Sequence, residues 1–167
     1  LDLSSFYFDI RKDVLYCDGL DSKKRKDCII VLNIILECLL KWFAPILVFT
    51  SDEIYDLISK KKDSIHEHSF VEIPKNWENK NLNDKWDNLY KIKQEANIAI
   101  EEKRSKKIIG SSLEAEIIIK TDSNNLNLFE GLDLPEYFIT SKVNKILSDK
   151  KGELKIEVKK ADGTKCS

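Results

Sequence analysis

Methionine is absent from all 167 residues, and the chain opens on Leu1-Asp2-Leu3. A natural chain starts with methionine, so this one is expected to be an excised segment of a longer protein. The opening also lacks the basic n-region of a signal peptide, so none is expected there. Long apolar runs are missing too. The richest stretch, Cys28–Leu40, is interrupted by Asn33 and Glu37 and falls short of the ~20 residues a membrane span needs, so no membrane partner is expected. The five glycines are too dispersed to form a Gly-rich phosphate loop, and no G-x-S-x-G or paired Cys and His in a nucleophile setting occurs. No catalytic residue is therefore nominated. The four cysteines, Cys17, Cys28, Cys38 and Cys166, include no C-x-x-C pair. Cys28 and Cys38 fall on an apolar helical face, which reads as buried thiols in a reducing cytoplasm. His66 and His68 are the only two histidines, and H-E-H lacks the i, i+4 spacing that puts two ligands on one helix face. A net charge of −1 excludes a globally basic nucleic-acid binder.

What the chain has is charge and periodic apolar residues, 34% and 42% of its composition, the profile of a globular domain. Leu3, Phe6, Ile10 and Val14 recur at helical spacing over residues 3–16, until Asp18-Gly19 breaks the pattern. Asp21 or Ser22 can cap a helix running to Phe43, apolar over enough of its circumference to form the centre of a bundle. Pro45 ends it. Thr50-Ser51-Asp52-Glu53 reads as a capping box, with Thr50 as N-cap and Glu53 reaching back, opening a helix whose end Lys60–Lys62 would complement. Residues 63–81 read as a linker holding one short extended piece, Phe70–Ile73.

A second long helix is expected over 82–107, with Trp86, Leu89, Tyr90, Lys93, Ala96 and Ile100 on one face. It ends in the basic run Lys103, Arg104, Lys106, Lys107, and Gly110 is the expected helix stop. Beyond it the pattern predicts a strand at 113–120 with Leu113 and Ala115 in the core, and a short helix near 125–132. A strand at 137–146, a turn near 149–152 and a strand through Leu154, Ile156 and Val158 follow, the last two strands forming an antiparallel pair. The fold class is mostly α: a helical bundle, then a long helix and a small α+β unit. The expected boundaries are 1–68 for the bundle, 69–81 for the linker and 82–167 for the remainder. Local basic clusters at 23–26, 60–62, 103–107 and 155–165 read either as solvated helix ends or as RNA-facing groups.

Several runs cohere into a resemblance. L-S-S-F-Y-F-D-I-R-K-D-V-L-Y-C-D (3–18) and L-K-W-F-A-P-I-L-V-F-T-S-D-E-I-Y (40–55) resemble the anticodon-binding bundle of bacterial isoleucyl-tRNA synthetases. K-I-I-G-S-S-L-E-A-E (107–116) is similar to the segment downstream of that bundle, and A-D-G-T-K-C-S (161–167) to the approach to a C-terminal zinc module. Asp52 and Tyr55 replace the Glu and Trp commoner in this family. The resemblance implies a segment that holds the anticodon stem-loop of isoleucine tRNA, and a parent ligase that charges that tRNA in the cytoplasm with ATP and magnesium. The family's H-x-G-H and K-M-S-K-S signatures do not occur in this chain, so the segment itself is expected to need no cofactor and to perform no catalysis.

The implied phosphate contacts are Arg11, Lys12, Lys103, Arg104, Lys106 and Lys107. Pro45, Thr50, Glu53 and Gly110 are given structural roles, and Cys166 is a possible first zinc ligand of the intact protein, with no metal expected in this segment. Trp42, Trp86 and Tyr90 are expected to be buried and not to stack on bases. An apolar patch left open on the helices of 3–16 and 28–43, covered by self-association, is also expected. The competing reading is a helical protein-interaction scaffold that binds no RNA.

Overall fold

The computed structural model describes residues 2–59 and 63–163. The chain divides into two compact units, Leu1–Glu78 and Asn79–Ser167.

The first unit is helical. A π-helical turn over Asp2–Tyr7 leads into α1, Phe8–Tyr16, on which Val14 is the buried residue. The long helix α2 covers Lys23–Phe43, and Ser22 is its N-cap, accepting a hydrogen bond from the Arg25 amide. Pro45 falls just past its end, and a turn through Ala44–Leu47 leads into α3, Val48–Ile58. The capping box is not formed: α3 begins two residues before Thr50, with Leu47 in the N-cap position and no side-chain cap. Turn geometry after Pro45 already brings the Ser51 amide to the Leu47 carbonyl at 2.8 Å, so Thr50 is inside the helix. The acidic residue that acts here is Asp52. It accepts from Ser64 Oγ at 2.6 Å and the Ile65 amide at 3.1 Å, which folds a 3-10 turn, Ile65–Glu67, back onto the helix. Ile65 thereby joins Leu40 and Ala44 in a small core, with Leu36, Ile54 and Tyr55 packed around it. Phe70–Ile73 is irregular and not a strand, and Lys60–Lys62 lie outside the described residues.

The second unit opens on α4, Lys80–Ser105, capped by Asn79, which accepts from the Leu82 amide. Leu89, Ile92, Lys93, Ala96 and Ile100 form its buried stripe. A 3-10 turn, Ser112–Glu114, precedes β1, Ala115–Thr121, so Leu113 is exposed at the turn while Ala115 is fully buried. Two short helices follow, α5, Ser123–Leu128, and α6, Leu134–Phe138. The strand expected at 137–146 thus begins as the end of a helix, at Tyr137 and Phe138, and becomes strand only from Lys142. Asp133 caps α6 by accepting from the Glu136 amide, and Pro135 sits in its first turn. β2 occupies only Lys142–Leu147, and β3 covers Leu154–Lys160. Nor do β2 and β3 pair with each other. The order is β2-β1-β3, with β2 parallel and β3 antiparallel to the central β1. β1 is the most apolar of the three strands, and the central place buries Ile117 and Ile119 completely.

The stop of α4 also differs from expectation. Lys107, not Gly110, adopts the left-handed conformation, at φ 56°. The Lys107 amide donates to the Arg104 carbonyl at 2.9 Å and the Ile108 amide to the Lys103 carbonyl at 3.0 Å, a Schellman motif. Gly110 has no positive φ; its amide donates to the Glu114 carboxylate at 3.0 Å.

Candidate nucleic-acid interface

The nominated cations occupy two places. On α1, the Arg11 guanidinium lies 5.9 Å from the Tyr7 ring centroid, and Lys12 Nζ is 2.6 Å from Asp9. That contact raises the Lys12 pKa above the usual lysine value. Burial, together with the nearby Cys28 thiol, pushes the Tyr7 hydroxyl up. On α4, Lys103 and Arg104 are in the last turn, where the carbonyl end of the helix dipole favours positive charge. Arg104 Nη1 is 2.5 Å from Glu101, and Lys106 pairs with Glu102, holding that carboxyl below its usual range. Four cations against two carboxylates leave this shoulder net positive over two turns. The α4 group is therefore brought together on one exposed helix end, while Arg11 and Lys12 belong to the first unit.

Aromatic placement departs from expectation. Trp42 is 49% exposed, Tyr90 41% and Trp86 36%, the last against the Tyr137 ring at 5.9 Å. Phe43, Ile46, Leu47 and Phe49 are exposed beside Trp42, and so are Ile29, Ile30 and Val31. A patch is expected on the helices of 3–16 and 28–43; exposed apolar residues lie on both, Leu3, Phe8 and Tyr16 on the first, and continue past α2 through the turn into α3. It arises because α2 is apolar on more sides than α1, α3 and the Ile65 turn cover.

A second cluster of cations comes from the sheet and was missed as a set. Side chains alternate across strands, so Ile117, Ile119, Ile156 and Val158 share one face of the sheet, toward α4. The other face carries Glu116, Ile118 and Lys120 from β1, Lys142, Asn144 and Ile146 from β2, and Lys155, Glu157 and Lys159 from β3. Glu116 is only 3% exposed. Its carboxylate accepts from Asn144 Nδ2 and has Lys159 Nζ at 3.3 Å and Lys142 Nζ at 3.7 Å, one ammonium from each flanking strand. A contact of 2.7 Å between Lys155 and Glu157 raises the lysine pKa and lowers the glutamate's. Of these lysines, sequence reading had grouped only Lys155 and Lys159.

Among the described residues no three of His, Cys, Asp and Glu come together as a metal site. Cys17, Cys28 and Cys38 are free thiols, and Cys166 lies outside the described residues. The described residues therefore do not fit a structural zinc. No helix among them is long and apolar enough to cross a membrane.

A family model described as the anticodon-binding domain of tRNA ligase matches residues 1–119. The chain belongs to that family. Relatives of the chain share one name, isoleucine–tRNA ligase. An isoleucine–tRNA ligase of Pelagibacter ubique is 49% identical over 166 residues, which are 99% of this chain and 18% of the relative. The isoleucine–tRNA ligase of Agrobacterium fabrum is 37% identical over 177 residues, 100% of this chain and 18% of the relative. That of Methylacidiphilum infernorum is 40% identical over 169 residues, again 99% and 18%. The chain thus spans under a fifth of the relatives' length. The resemblance read from F-Y-F-D-I-R-K-D and A-P-I-L-V-F-T-S-D-E-I-Y is borne out.

Proposed function

We propose that this chain is the segment of an isoleucine–tRNA ligase that grips the anticodon stem-loop of isoleucine tRNA. The parent enzyme would attach isoleucine to that tRNA with ATP and magnesium in the cytoplasm, its catalytic domain lying on the same polypeptide. What carries the reading is the family match over residues 1–119, together with relatives that are isoleucine–tRNA ligases at up to 49% identity. The basic shoulder of α4 supplies the chemistry. Lys103, Arg104, Lys106 and Lys107 are suited to phosphate contacts, while Arg11 and Lys12 offer a second set on α1. Trp42, half exposed at the end of α2, has a free ring surface on which a splayed base could stack.

The test is a gel shift with isoleucine tRNA and with the same tRNA altered in its anticodon, repeated across salt concentrations. If about four phosphates are neutralised, log K against log salt should slope near −3, at roughly −0.7 per single-strand contact and slightly more for duplex. Affinity indifferent to salt contradicts the electrostatic role. Binding to neither RNA, with a stable homo-oligomer, favours a scaffold. The exposed apolar residues of α2 and α3 support self-association when nothing else covers them, and light scattering across a dilution series reads that directly.

A further inference from the structure

We propose that the sheet face turned away from α4 is a docking surface for the phosphate backbone of RNA, centred on Lys142 and Lys159 and extended by Lys120 and Lys155. This rests on the tRNA-binding reading above and adds to it a site separate from the α4 shoulder. Three observations support it. The four lysine side chains are exposed, at 46% for Lys120, 62% for Lys142 and Lys155, and 54% for Lys159. Glu116 is buried between Lys142 and Lys159, so a single negative charge holds two ammoniums across three strands. It neutralises one of them and restrains both, lowering the rotamer entropy that two free lysines would lose on binding. Finally, the register sets Lys120 directly opposite Lys155. Like charges so placed destabilise a strand pair. Glu153, 3.9 Å from Lys120, and Glu157, 2.7 Å from Lys155, pair with these lysines one to one, and a phosphate can exchange with either surface carboxylate.

The occupant follows from the size of the face and from its charge, four lysines against the three carboxylates of Glu116, Glu153 and Glu157. Strand spacing separates Lys142 from Lys159 by about 10 Å, and strand rise separates Lys155 from Lys159 by about 13 Å. Such a patch is too broad for one phosphate and suits a run of backbone phosphates. Ile118 lies at the centre of the face and Ile146 beside Lys120 at its edge, where burial under an RNA strand would lower the local dielectric and strengthen each contact.

The experiment compares the unaltered chain with Lys120→Gln/Lys155→Gln, a pair of exposed lysines whose surface ion pairs contribute little to stability, so the fold should stay intact, as checked by thermal melts. Lys142→Gln is a second variant, and Lys91→Gln on α4 the control. Titration with isoleucine tRNA across salt should show the double variant binding more than about tenfold more weakly at 0.1 M salt, its slope shallower by about 2. Lys142→Gln should flatten the slope by about 1, and Lys91→Gln should not change it. Binding by the unaltered chain with an unchanged slope in both sheet variants overturns this surface and leaves the anticodon-binding reading standing. No binding by the unaltered chain overturns both. An equal loss towards polyglutamate overturns RNA as the specific occupant.

Discussion

Replacing Lys107 with glycine should stabilise the second unit. A non-glycine residue in the left-handed region costs about 1–2 kcal/mol through the approach of its Cβ to the following carbonyl. Lys107, at φ 56°, carries that cost to complete the Schellman motif closing α4. Glycine removes it but widens the unfolded ensemble, which takes back about 0.4–1 kcal/mol. The net gain is about 0.5–1 kcal/mol, or a rise in Tm of about 2–8 °C for a unit of this size. Thermal and urea denaturation of Lys107→Gly beside Lys107→Ala separates backbone from charge, since alanine removes the ammonium and keeps the Cβ. The alanine variant should melt close to the unaltered chain. A glycine variant no more stable than the alanine one refutes the reasoning. Gly110 provides the complementary arm. A Cβ there would meet the Glu114 carboxylate at 3.2 Å, the movable end of a side chain, with no strained φ. Gly110→Ala should therefore change stability by only a few tenths of a kcal/mol, whereas a true left-handed stop would cost more than 1 kcal/mol.

Capping separates two serine or threonine sites: Ser22→Ala should cost about 1 kcal/mol and Thr50→Ala almost nothing, read from urea midpoints. Ile65→Ala should destabilise the first unit by about 2–4 kcal/mol, because the 2%-exposed side chain closes its small core; a loss below about 1 kcal/mol would show that the 3-10 turn is not packed as described. Asp122 accepts from the Gly152 amide at 2.7 Å and the Asn125 amide at 3.1 Å, and these bonds hold its carboxyl below the usual range. A depressed folded-state pKa gives stability that is fully present above the unfolded value near 4 and is lost as pH falls through the folded one. Melting temperature followed from pH 6 to 2 should therefore fall less steeply in Asp122→Asn than in the unaltered chain, and parallel curves would sink the assignment.

Elements with long periodicity were legible. Ser22, the apolar run to Phe43 and Pro45 define α2 without reference to any partner, and the stripe from Leu89 to Ile100 does the same for α4. Misreadings arose where two local rules compete. Thr50-x-x-Glu53 satisfies the capping pattern, yet the turn after Pro45 nucleates the helix two residues earlier, and the side chain arrives too late to cap it. Tyr137 and Phe138 carry strand-like bulk, yet Asp133 and Pro135 just before them mark a helix start. Gly110 looked like the helix stop because glycine takes φ > 0 most cheaply. The hydrogen bonds of the last turn instead placed that conformation on Lys107, three residues earlier.

Site residues were legible only where they are adjacent in sequence. Lys103 to Lys107 form a run, and any helix ending there gathers them. Lys142, Glu116 and Lys159 are brought together only by register, because Glu116 faces Lys142 on a parallel neighbour and Lys159 on an antiparallel one. A one-residue slip of either strand would turn its lysines to the α4 face, where the unpaired charge of Glu116 could not stay buried. The same carboxylate that positions the two ammoniums thus penalises any sheet register that would separate them. A β1–β2–β3 pairing with β2 and β3 as an antiparallel hairpin, as the alternating pattern suggested, would have left Glu116 with at most one of its two lysines.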